Sequence, residues 1–253
     1  MQSKYQPRLL TALAALAFVS LLFGTASAQS PASKTAGGRQ TVCVASSIGH
    51  KYEVNTIGLM VFGNDLKIAN ISAWGVDSLV VQRLSAALGS KYSVRAVSIS
   101  ADALKSAPVG GRSIFENANG DAPFKAALSN HAKSGCAYVV IVRAYRGQYP
   151  GTNQIIEGLG IVKHGVDGFI ANYSTYGVFT PQVYNARTGD RVRVPAGDIF
   201  SSSWLQKANA SDWPASPEAA TRSTKLREAA RRLVTTEIDK DAQQILKALS
   251  SPD

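Results

Sequence analysis

The stretch "CAYVVIVRAY", residues 136–145, decides the fold class of this chain. The alternation of a strand places Cys136, Tyr138, Val140 and Val142 on one face, and Ala137, Val139 and Ile141 on the other. Both faces are apolar, which is typical of a strand covered by other elements on each side. This pattern predicts a central strand in a layered domain.

Strands and helices alternate on the amino-terminal side of this central strand. The predicted elements are strands in "TVCVASSI" (41–48) and "YEVNTIGLMVFG" (52–63), a helix in "SAWGVDSLVVQRLSAALGSKY" (72–92), a strand in "YSVRAVSIS" (92–100) and a helix in "APFKAALSNHAKS" (122–134). Gly49–Lys51 forms a turn between the first two strands, and Gly89 is expected to be the left-handed residue that ends the first helix. Residues 101–120 are expected to form a long loop, with at most a short helical turn.

The carboxyl-terminal side predicts an antiparallel meander followed by a helix. The meander has hairpins at His164-Gly165 and Thr188–Asp190, and Pro181 implies an edge or a bulge because it lacks an N–H. Ser216 begins the last helix, whose apolar stripe is Leu226, Ala229, Ala230, Leu233, Val234, Ile238, Ala242, Ile245, Leu246 and Leu249. The fold class is therefore α/β: a layered domain with a mixed sheet (β-β-α-β-α-β, then the meander) and a long amphipathic carboxyl-terminal helix.

The amino terminus reads as a cleaved secretory signal. Lys4 and Arg8 precede the apolar stretch 9–22, and Ala26-Ser27-Ala28 forms a small-residue cleavage site. We therefore expect a signal peptide at 1–28, a disordered leader at 29–40 and a single α/β domain at 41–253. A retained membrane anchor is the alternative. No cysteine stands at the cleavage point, so we expect a periplasmic or secreted protein that is not a lipoprotein, with no transmembrane segment after signal cleavage.

The chain is basic, with 27 Lys and Arg against 17 Asp and Glu, a net charge of +10. Loss of Lys4 and Arg8 with the signal would leave +8 (25 against 17). Such a balance favours anionic neighbours, so one hypothesis is an electrostatic binder of anionic envelope polymer or lipid. The basic residues lack interleaved aromatic residues of the kind that stack on bases, so we expect no nucleic-acid partner.

The two cysteines, Cys43 and Cys136, both lie in predicted strands. In an oxidising compartment they form a disulfide if their Cα atoms come within reach, and otherwise they are two separately buried thiols. The sequence leaves both possibilities open. Two cysteines and three widely spaced histidines match no metal-ligand spacing, so no metal and no other cofactor is expected.

The order of elements over residues 41–250 resembles a group of bacterial envelope proteins. The residues that carry the likeness are the helix after "NISAWGVDSLVVQRL" (70–84), the strand "CAYVVIVRAY" and the hairpin "VYNARTGDRVRV" (183–194), followed by a terminal helix. The group comprises the periplasmic domain of the curli secretion channel subunit, the TolB amino-terminal domain and the lipoprotein activators of penicillin-binding proteins. Asn185, Thr188, Gly189 and Asp190 fit the turn of that group. The resemblance implies a non-enzymatic domain that binds another envelope protein. The acylated cysteine of the lipoprotein members is missing here, so membrane anchoring is not implied.

Two short segments are candidates for chemistry. Ser46 or Ser47, close to His50, would be the nucleophile of a secreted serine hydrolase, but no G-x-S-x-G elbow surrounds either serine, and a β-turn is the simpler interpretation. The stretch Gly110–Ser113 could bind an anion, but it lacks the ending of a phosphate loop and suits a surface loop.

Partner binding is predicted for two segments. Arg143, Tyr145, Arg146 and Tyr149 cluster at the carboxyl end of the central strand, where ligands dock in layered α/β folds, although the strand could simply leave the core there. Trp204 and Trp213 lie in a polar linker, where they are either exposed or packed on the terminal helix. The sequence thus predicts an exported, non-enzymatic protein-binding or accessory module of the envelope, and it does not determine the oligomeric state.

Overall fold

A computed structural model of the chain describes residues 38–58, 63–108, 121–165, 171–194 and 204–250. The predicted signal peptide, the leader up to residue 37 and the Gly110–Ser113 segment lie outside the described residues. The described residues all belong to one compact unit, Ala32–Asp253.

Ten strands and five helices make up the described structure. The strands are β1 Thr41–Ser46, β2 Lys51–Ile57, β3 Asp65–Asn70, β4 Ser93–Ala96, β5 Cys136–Ala144, β6 Arg146–Gln148, β7 Ile155–His164, β8 Asn172–Asn185, β9 Arg191–Val192 and β10 Leu205–Ala208. The helices are α1 Val76–Leu88, α2 Ala101–Lys105, α3 Ala122–Lys133, α4 Pro217–Arg222 and α5 Thr224–Ser250, with single 3₁₀ turns at Ser72–Trp74 and Ala210–Asp212.

The strands form one mixed sheet in the order β3-β2-β7-β8-β5-β1-β4. The pairs β1–β4, β1–β5 and β2–β7 are parallel, and the other pairs are antiparallel. The long strand β8 joins the two halves: its first half pairs with β7 and β10, and its second half pairs with β5 and β9. The fold is therefore α/β with a mixed sheet and a long carboxyl-terminal helix, as predicted.

Two apolar layers cover the sheet. On the face that we call the α5 face, helices α1 and α5 pack on Val42, Val54, Val140 and Leu159. On the opposite face, called the α3 face, Phe124 and Leu128 pack on Val139 and Ile141. Strand β5 is thus covered on both sides, as its double apolar pattern predicts. None of the helices in the described ranges is long and apolar enough to cross a membrane.

A third cluster continues the α3 face over the other half of the sheet. It contains Ile57, Tyr149, Ile156, Val162 and Tyr176. Along β8 the even-numbered Tyr176 and Tyr184 belong to the α3 face, while the odd-numbered Phe179 and Val183 pack on the α5 face. The alternation of β8 therefore gives both halves of the sheet the same two faces.

The predicted left-handed conformation of Gly89 is wrong. Its φ is −62°, because the chain continues in a tight right-handed turn in which the amides of Lys91 and Tyr92 both donate to the Leu88 carbonyl, at 3.0 and 2.9 Å. The left-handed glycine of this helix lies instead at its start: Gly75, with φ 66°, separates the 3₁₀ turn from α1.

The carboxyl-terminal helix is divided in two, whereas the sequence pattern predicts a single helix from Ser216. The Ser216 hydroxyl caps α4 as predicted, accepting from the Ala219 amide at 3.2 Å. Ser223 then adopts an extended ψ of 111°, and its hydroxyl accepts from the Leu226 amide at 3.2 Å. Ser223 is thus a second cap that begins α5.

Cys43 and Cys136 form a disulfide with a Cα–Cα distance of 5.7 Å. The predicted orientation of Cys136 is wrong, because Cys136 lies on the α3 face rather than with Val140 and Val142. The cause is an irregularity in register: Thr41 pairs with Cys136, but Val42 already pairs with Tyr138. One extra residue on β5 turns Cys136 to the face that carries Cys43, so the two sulfurs can meet.

Pro181 lies inside β8, opposite Val142 of β5. The Val142 carbonyl accepts from the Ser47 amide at 3.0 Å, so Val142 directs its backbone groups towards β1. Opposed residues in an antiparallel ladder alternate between pairs that share hydrogen bonds and pairs that share none. Val142 and Pro181 form a pair of the second kind, so the nitrogen of Pro181 points away from β5. The proline therefore occupies a position where the β5–β8 ladder needs no N–H donor.

Candidate functional site

The predicted partner residue Arg143 holds two elements of the fold together. Its Nη1 donates to the carbonyls of Leu104 and Ala107, at 3.2 and 3.4 Å. The guanidinium thus links β5 to the end of α2. The side chain is only partly exposed and already has these intramolecular acceptors, which reduces what it can offer to a partner.

The other residues of that segment differ in exposure. Tyr149 is 6% exposed, and its ring meets His164 edge-to-face with centroids 5.7 Å apart. Tyr145 is partly buried and its amide donates to the Val178 carbonyl, at 2.9 Å. Arg146 is exposed on β6, opposite Glu157 of β7. Only Arg146 among these three presents a largely accessible side chain.

The sheet separates the two predicted tryptophans. Trp204 packs against the cluster of the α3 face that contains Tyr149 and Tyr176. Trp213 packs against the core of the α5 face, with its ring centroid 5.9 Å from that of Tyr173. The structure thus brings Tyr149 and Trp204 together, and it places Trp213 on the other side of the sheet.

The candidate nucleophile Ser46 bonds to a carboxylate. Its Oγ donates to Oδ1 of Asp77 at 2.6 Å, and the amides of residues 48 and 49 donate to the same oxygen at 3.0 Å each. The His50 Nε2 is 3.7 Å from Asp77 Oδ2. A serine nucleophile needs an imidazole or similar base at its hydroxyl, but here Asp77 lies between the two. The Ser47 amide belongs to the sheet, so the arrangement fastens the β1–β2 turn to the start of α1.

No group of three or more histidine, cysteine, aspartate and glutamate side chains suited to a metal ion occurs in the described part of the chain.

Strand β3 is the element with the most accessible apolar side chains. Leu66 is 53% exposed and Ile68 is 47% exposed, and both are among the largest exposed apolar residues. They are opposite Asn55 and Glu53 of β2, on the α3 face. Ala69, opposite Tyr52, instead packs into the core of the α5 face. Ala69 is thus the buried residue of β3, while Lys67 on the same side and Leu66 and Ile68 on the other side are exposed.

The outer edge of β3 has a definite set of backbone groups that point away from β2. The Ile71 amide donates to the His50 carbonyl at 3.2 Å, in the same register as the β2–β3 ladder. Alternation along that ladder then directs the backbone groups of Ala69 and Lys67 to β2, and those of Leu66 and Ile68 away from it. Within the described strands, β3 ends the sheet order and pairs only with β2. We call the outward backbone of residues 66–70, together with the Leu66 and Ile68 side chains, the β3 edge.

Side-chain contacts connect the strands behind the β3 edge. Tyr176 donates from its hydroxyl to Glu53 Oε2 at 2.5 Å, and the Glu157 amide donates to the same oxygen at 3.1 Å. Burial raises the pKa of the Glu53 carboxyl, and these two hydrogen bonds act in the opposite direction. A Cβ on Gly160 would lie 2.6 Å from the Glu53 carbonyl and would also collide with the Tyr176 ring, so only glycine fits there. This contact ties β2, β7 and β8 together directly beside β3.

No family model matches the chain, and no curated protein matches it. Among solved structures, a dodecamer of a PelC point variant from Paraburkholderia phytofirmans is similar over 80% of this chain and 86% of that chain. The sequence identity is 11% and the TM-score is 0.30. A likeness at this level supports no inference about function.

Sequence reasoning missed the β3 edge altogether. The prediction places a strand at 52–63 and a helix at 72–92, with no strand between them. The signal in "DLKIAN" (65–70) is an alternation of two apolar and two polar side chains. Such a short alternation does not indicate which face is buried, and here Leu66 and Ile68 face outward while Ala69 faces the core.

Proposed function

We propose that this chain is an exported protein of the bacterial cell envelope that binds another envelope protein and does not act as a catalyst. The proposed binding element is the β3 edge, to which an extended segment of the partner adds as a further strand. The observation that carries the proposal is that the two half-exposed apolar residues of β3 are also the residues whose backbone N–H and C=O groups point outward.

The other end of the sheet is a weaker candidate for the same role. Strand β4 has four residues and pairs with β1 only, within the described strands. The exposed Arg95 of β4 is held by its own fold: it donates to the Ser134 carbonyl at 2.8 Å and contacts both disulfide sulfurs. None of its side chains is among the large exposed apolar residues. The β3 edge therefore offers both the longer ladder and the apolar anchors.

The two parts of the β3 edge have different roles in strand addition. Main-chain hydrogen bonds supply affinity for any extended segment, while alternate side chains supply selectivity. Covering the remaining exposed surface of Leu66 and Ile68 is worth about 1 kcal/mol each, taking half of the value for full burial. A partner segment with apolar residues at alternate positions on the matching face gains both contributions.

Site-specific photo-crosslinking in intact cells tests the proposal. A photoreactive amino acid replaces Leu66 in one variant and Ile155 in the control, since Ile155 is 47% exposed but lies on β7 opposite Gln148. We expect a discrete adduct with one envelope protein at position 66 and none at position 155. Adducts at both positions, or at neither, would contradict a partner at the β3 edge.

A pair of proline variants tests the direction of the backbone groups. Ile68→Pro removes an outward N–H, so it should abolish the adduct while leaving the melting temperature nearly unchanged. Lys67→Pro removes an N–H that points to Val54 of β2, so it should destabilise the fold. If the adduct consists of two copies of this chain, the segment bound at the β3 edge comes from a second copy and not from a different protein.

A further inference from the structure

The two faces of strand β3 carry side chains of different chemistry. Leu66 and Ile68 lie on the α3 face. Lys67 lies on the α5 face, because it is opposite Val54 in the core of that face, and Asp65 is two positions away on the same side. The side chains of Asp65 and Lys67 are 55% and 51% exposed. A strand added to β3 would therefore meet apolar side chains on one face and charged side chains on the other.

The backbone register determines how closely the added side chains approach. Lys67 directs its N–H and C=O groups to β2, and so does Asp65 by alternation. A residue opposite either of them in an added antiparallel strand shares no hydrogen bond with it. Such pairs have Cα atoms about 4.5 Å apart, against about 5.5 Å in hydrogen-bonded pairs. The two charged residues of β3 are thus the ones that a partner side chain approaches most closely.

The charges of Asp65 and Lys67 remain able to bind a further charged group. Asp65 Oδ2 and Lys67 Nζ are 3.1 Å apart. This contact uses one of the three donors of the ammonium group and one oxygen of the carboxylate. Neither side chain forms an ion pair with a third residue in the described ranges. The acidic and basic positions of β3 therefore form a charge pattern that a neighbouring strand can match.

We propose that the segment bound at the β3 edge runs antiparallel to β3 and carries, in order, an apolar, an acidic, an apolar and a basic residue. These residues lie opposite Ile68, Lys67, Leu66 and Asp65. Opposite charges directly across an antiparallel pair stabilise it, and like charges destabilise it. Antiparallel pairing is also slightly more stable per residue than parallel pairing. The inference rests on the proposed function, since it specifies which strand the β3 edge accepts.

Strand β3 of a second copy matches this pattern less well. If Leu66 of one copy lay opposite Leu66 of the other, Asp65 of each copy would lie opposite Lys67 of the other. Ile68 would then lie opposite the polar Asn64, so one of the two apolar contacts would be lost. The complete pattern therefore favours a segment of a different protein.

Two peptides of identical composition test the charge pattern. Thr-Val-Glu-Val-Lys-Thr follows it, and Thr-Val-Lys-Val-Glu-Thr has the two charges exchanged. Each peptide is titrated at low salt into the isotope-labelled, purified protein, and the NMR signals of the Leu66 and Ile68 amides report binding at the β3 edge. We expect the first peptide to bind about tenfold more tightly, because two attractive pairs replace two repulsive pairs. Both peptides carry the same net charge, so net charge cannot cause this difference.

The matched variant is Asp65→Lys with Lys67→Asp. It keeps both the net charge and the ion pair within β3, so the melting temperature should stay nearly unchanged while the second peptide becomes the tighter ligand. The control is the same exchange in α2, Asp102→Lys with Lys105→Asp, which reverses an exposed ion pair outside β3. The control variant should keep the original preference.

The possible failures of this test are distinguishable. Equal affinity for the two peptides, or a preference that the β3 exchange does not reverse, would overturn the charge pattern and leave strand addition standing. Absence of shifts at the Leu66 and Ile68 amides with both peptides would count against strand addition itself. A protein that is dimeric in solution and becomes monomeric in the Ile68→Pro variant would overturn the assignment to a different protein.

Discussion

Reducing the Cys43–Cys136 bond should destabilise the protein by about 4 to 5 kcal/mol. The bond joins residues 93 positions apart. In the chain-entropy relation for cross-links, a loop of that length lowers the entropy of the unfolded chain by about 16 cal/mol/K, or about 4.6 kcal/mol at 25 °C. The bond thus represents a large share of the 5–15 kcal/mol that is typical of a folded domain.

The native surroundings of the bond allow this contribution to be measured in isolation. Cys43 is fully buried and Cys136 is 5% exposed, so after reduction both thiols remain packed as small apolar groups. Arg95 contacts both sulfurs and also donates to the Ser134 carbonyl, so reduction leaves its position anchored. The folded state therefore changes little, and the effect arises mainly in the unfolded chain.

Urea unfolding with and without a thiol reductant measures the effect. With a slope of about 2 kcal/mol/M, the midpoint of the reduced protein should fall by about 2 M. The variant Cys43→Ala with Cys136→Ala is the control, because its midpoint should not respond to the reductant. The thiol content of the untreated protein, measured under denaturing conditions, should be zero.

Two free thiols in the untreated protein would refute the structural reasoning. They would mean that the extra residue on β5 does not turn Cys136 to the face that carries Cys43. An intact bond whose reduction moves the midpoint by less than about 0.5 M would instead refute the entropic magnitude, and would point to residual structure in the unfolded chain.

Two further substitutions test buried contacts. Burial raises the pKa of Asp241 from 3.8 to about 6, with Glu237 adding to the effect, so ionisation opposes folding at pH values above about 6 and has no effect well below 3.8. Asp241→Asn should therefore raise the free energy of unfolding by up to about 3 kcal/mol at pH 8 and leave it unchanged at pH 3. Urea unfolding at the two pH values measures this, and an equal gain at both would contradict the reasoning. Gly160→Ala should lower the free energy of unfolding by at least about 1 kcal/mol, because the new Cβ meets the Glu53 carbonyl and the Tyr176 ring; a neutral effect would show that the β2–β7–β8 contact is loose.

The layers of the fold were predictable because they depend on local periodicity. The apolar run of β5 indicates a strand covered on both faces, and the stripe of α5 indicates a helix packed along its length, and both are observed. Ser216 was also recognisable as a cap from its neighbours Pro217 and Glu218. These signals lie within a few residues of the structure that they determine.

The errors arose where a single residue overrides the local pattern. Ser223 interrupts an otherwise continuous helical stripe because its hydroxyl can cap the next helix. The extra residue between Cys136 and Tyr138 changes the face of one side chain, and strict alternation cannot show it. Strand β3 is short, and it pairs with β2. Strand β2 in turn pairs with β7, which is about a hundred residues away in the sequence, so a local stretch of sequence does not contain the contacts that hold β3 in the sheet.

The candidate sites were the least predictable part, because they depend on which face of the sheet a residue occupies. Trp204 and Trp213 are nine positions apart, yet they pack on opposite faces. Tyr176 and Glu53 are 123 positions apart, yet they share a hydrogen bond. Proximity in sequence predicts a single surface, which the sheet divides between its two faces.

Binding at the β3 edge depends mainly on main-chain hydrogen bonds and apolar contacts, so it should respond weakly to salt. The electrostatic hypothesis drawn from the net charge predicts the opposite, a steep loss of binding as salt is added. The salt dependence of the adduct at position 66 therefore distinguishes the two hypotheses.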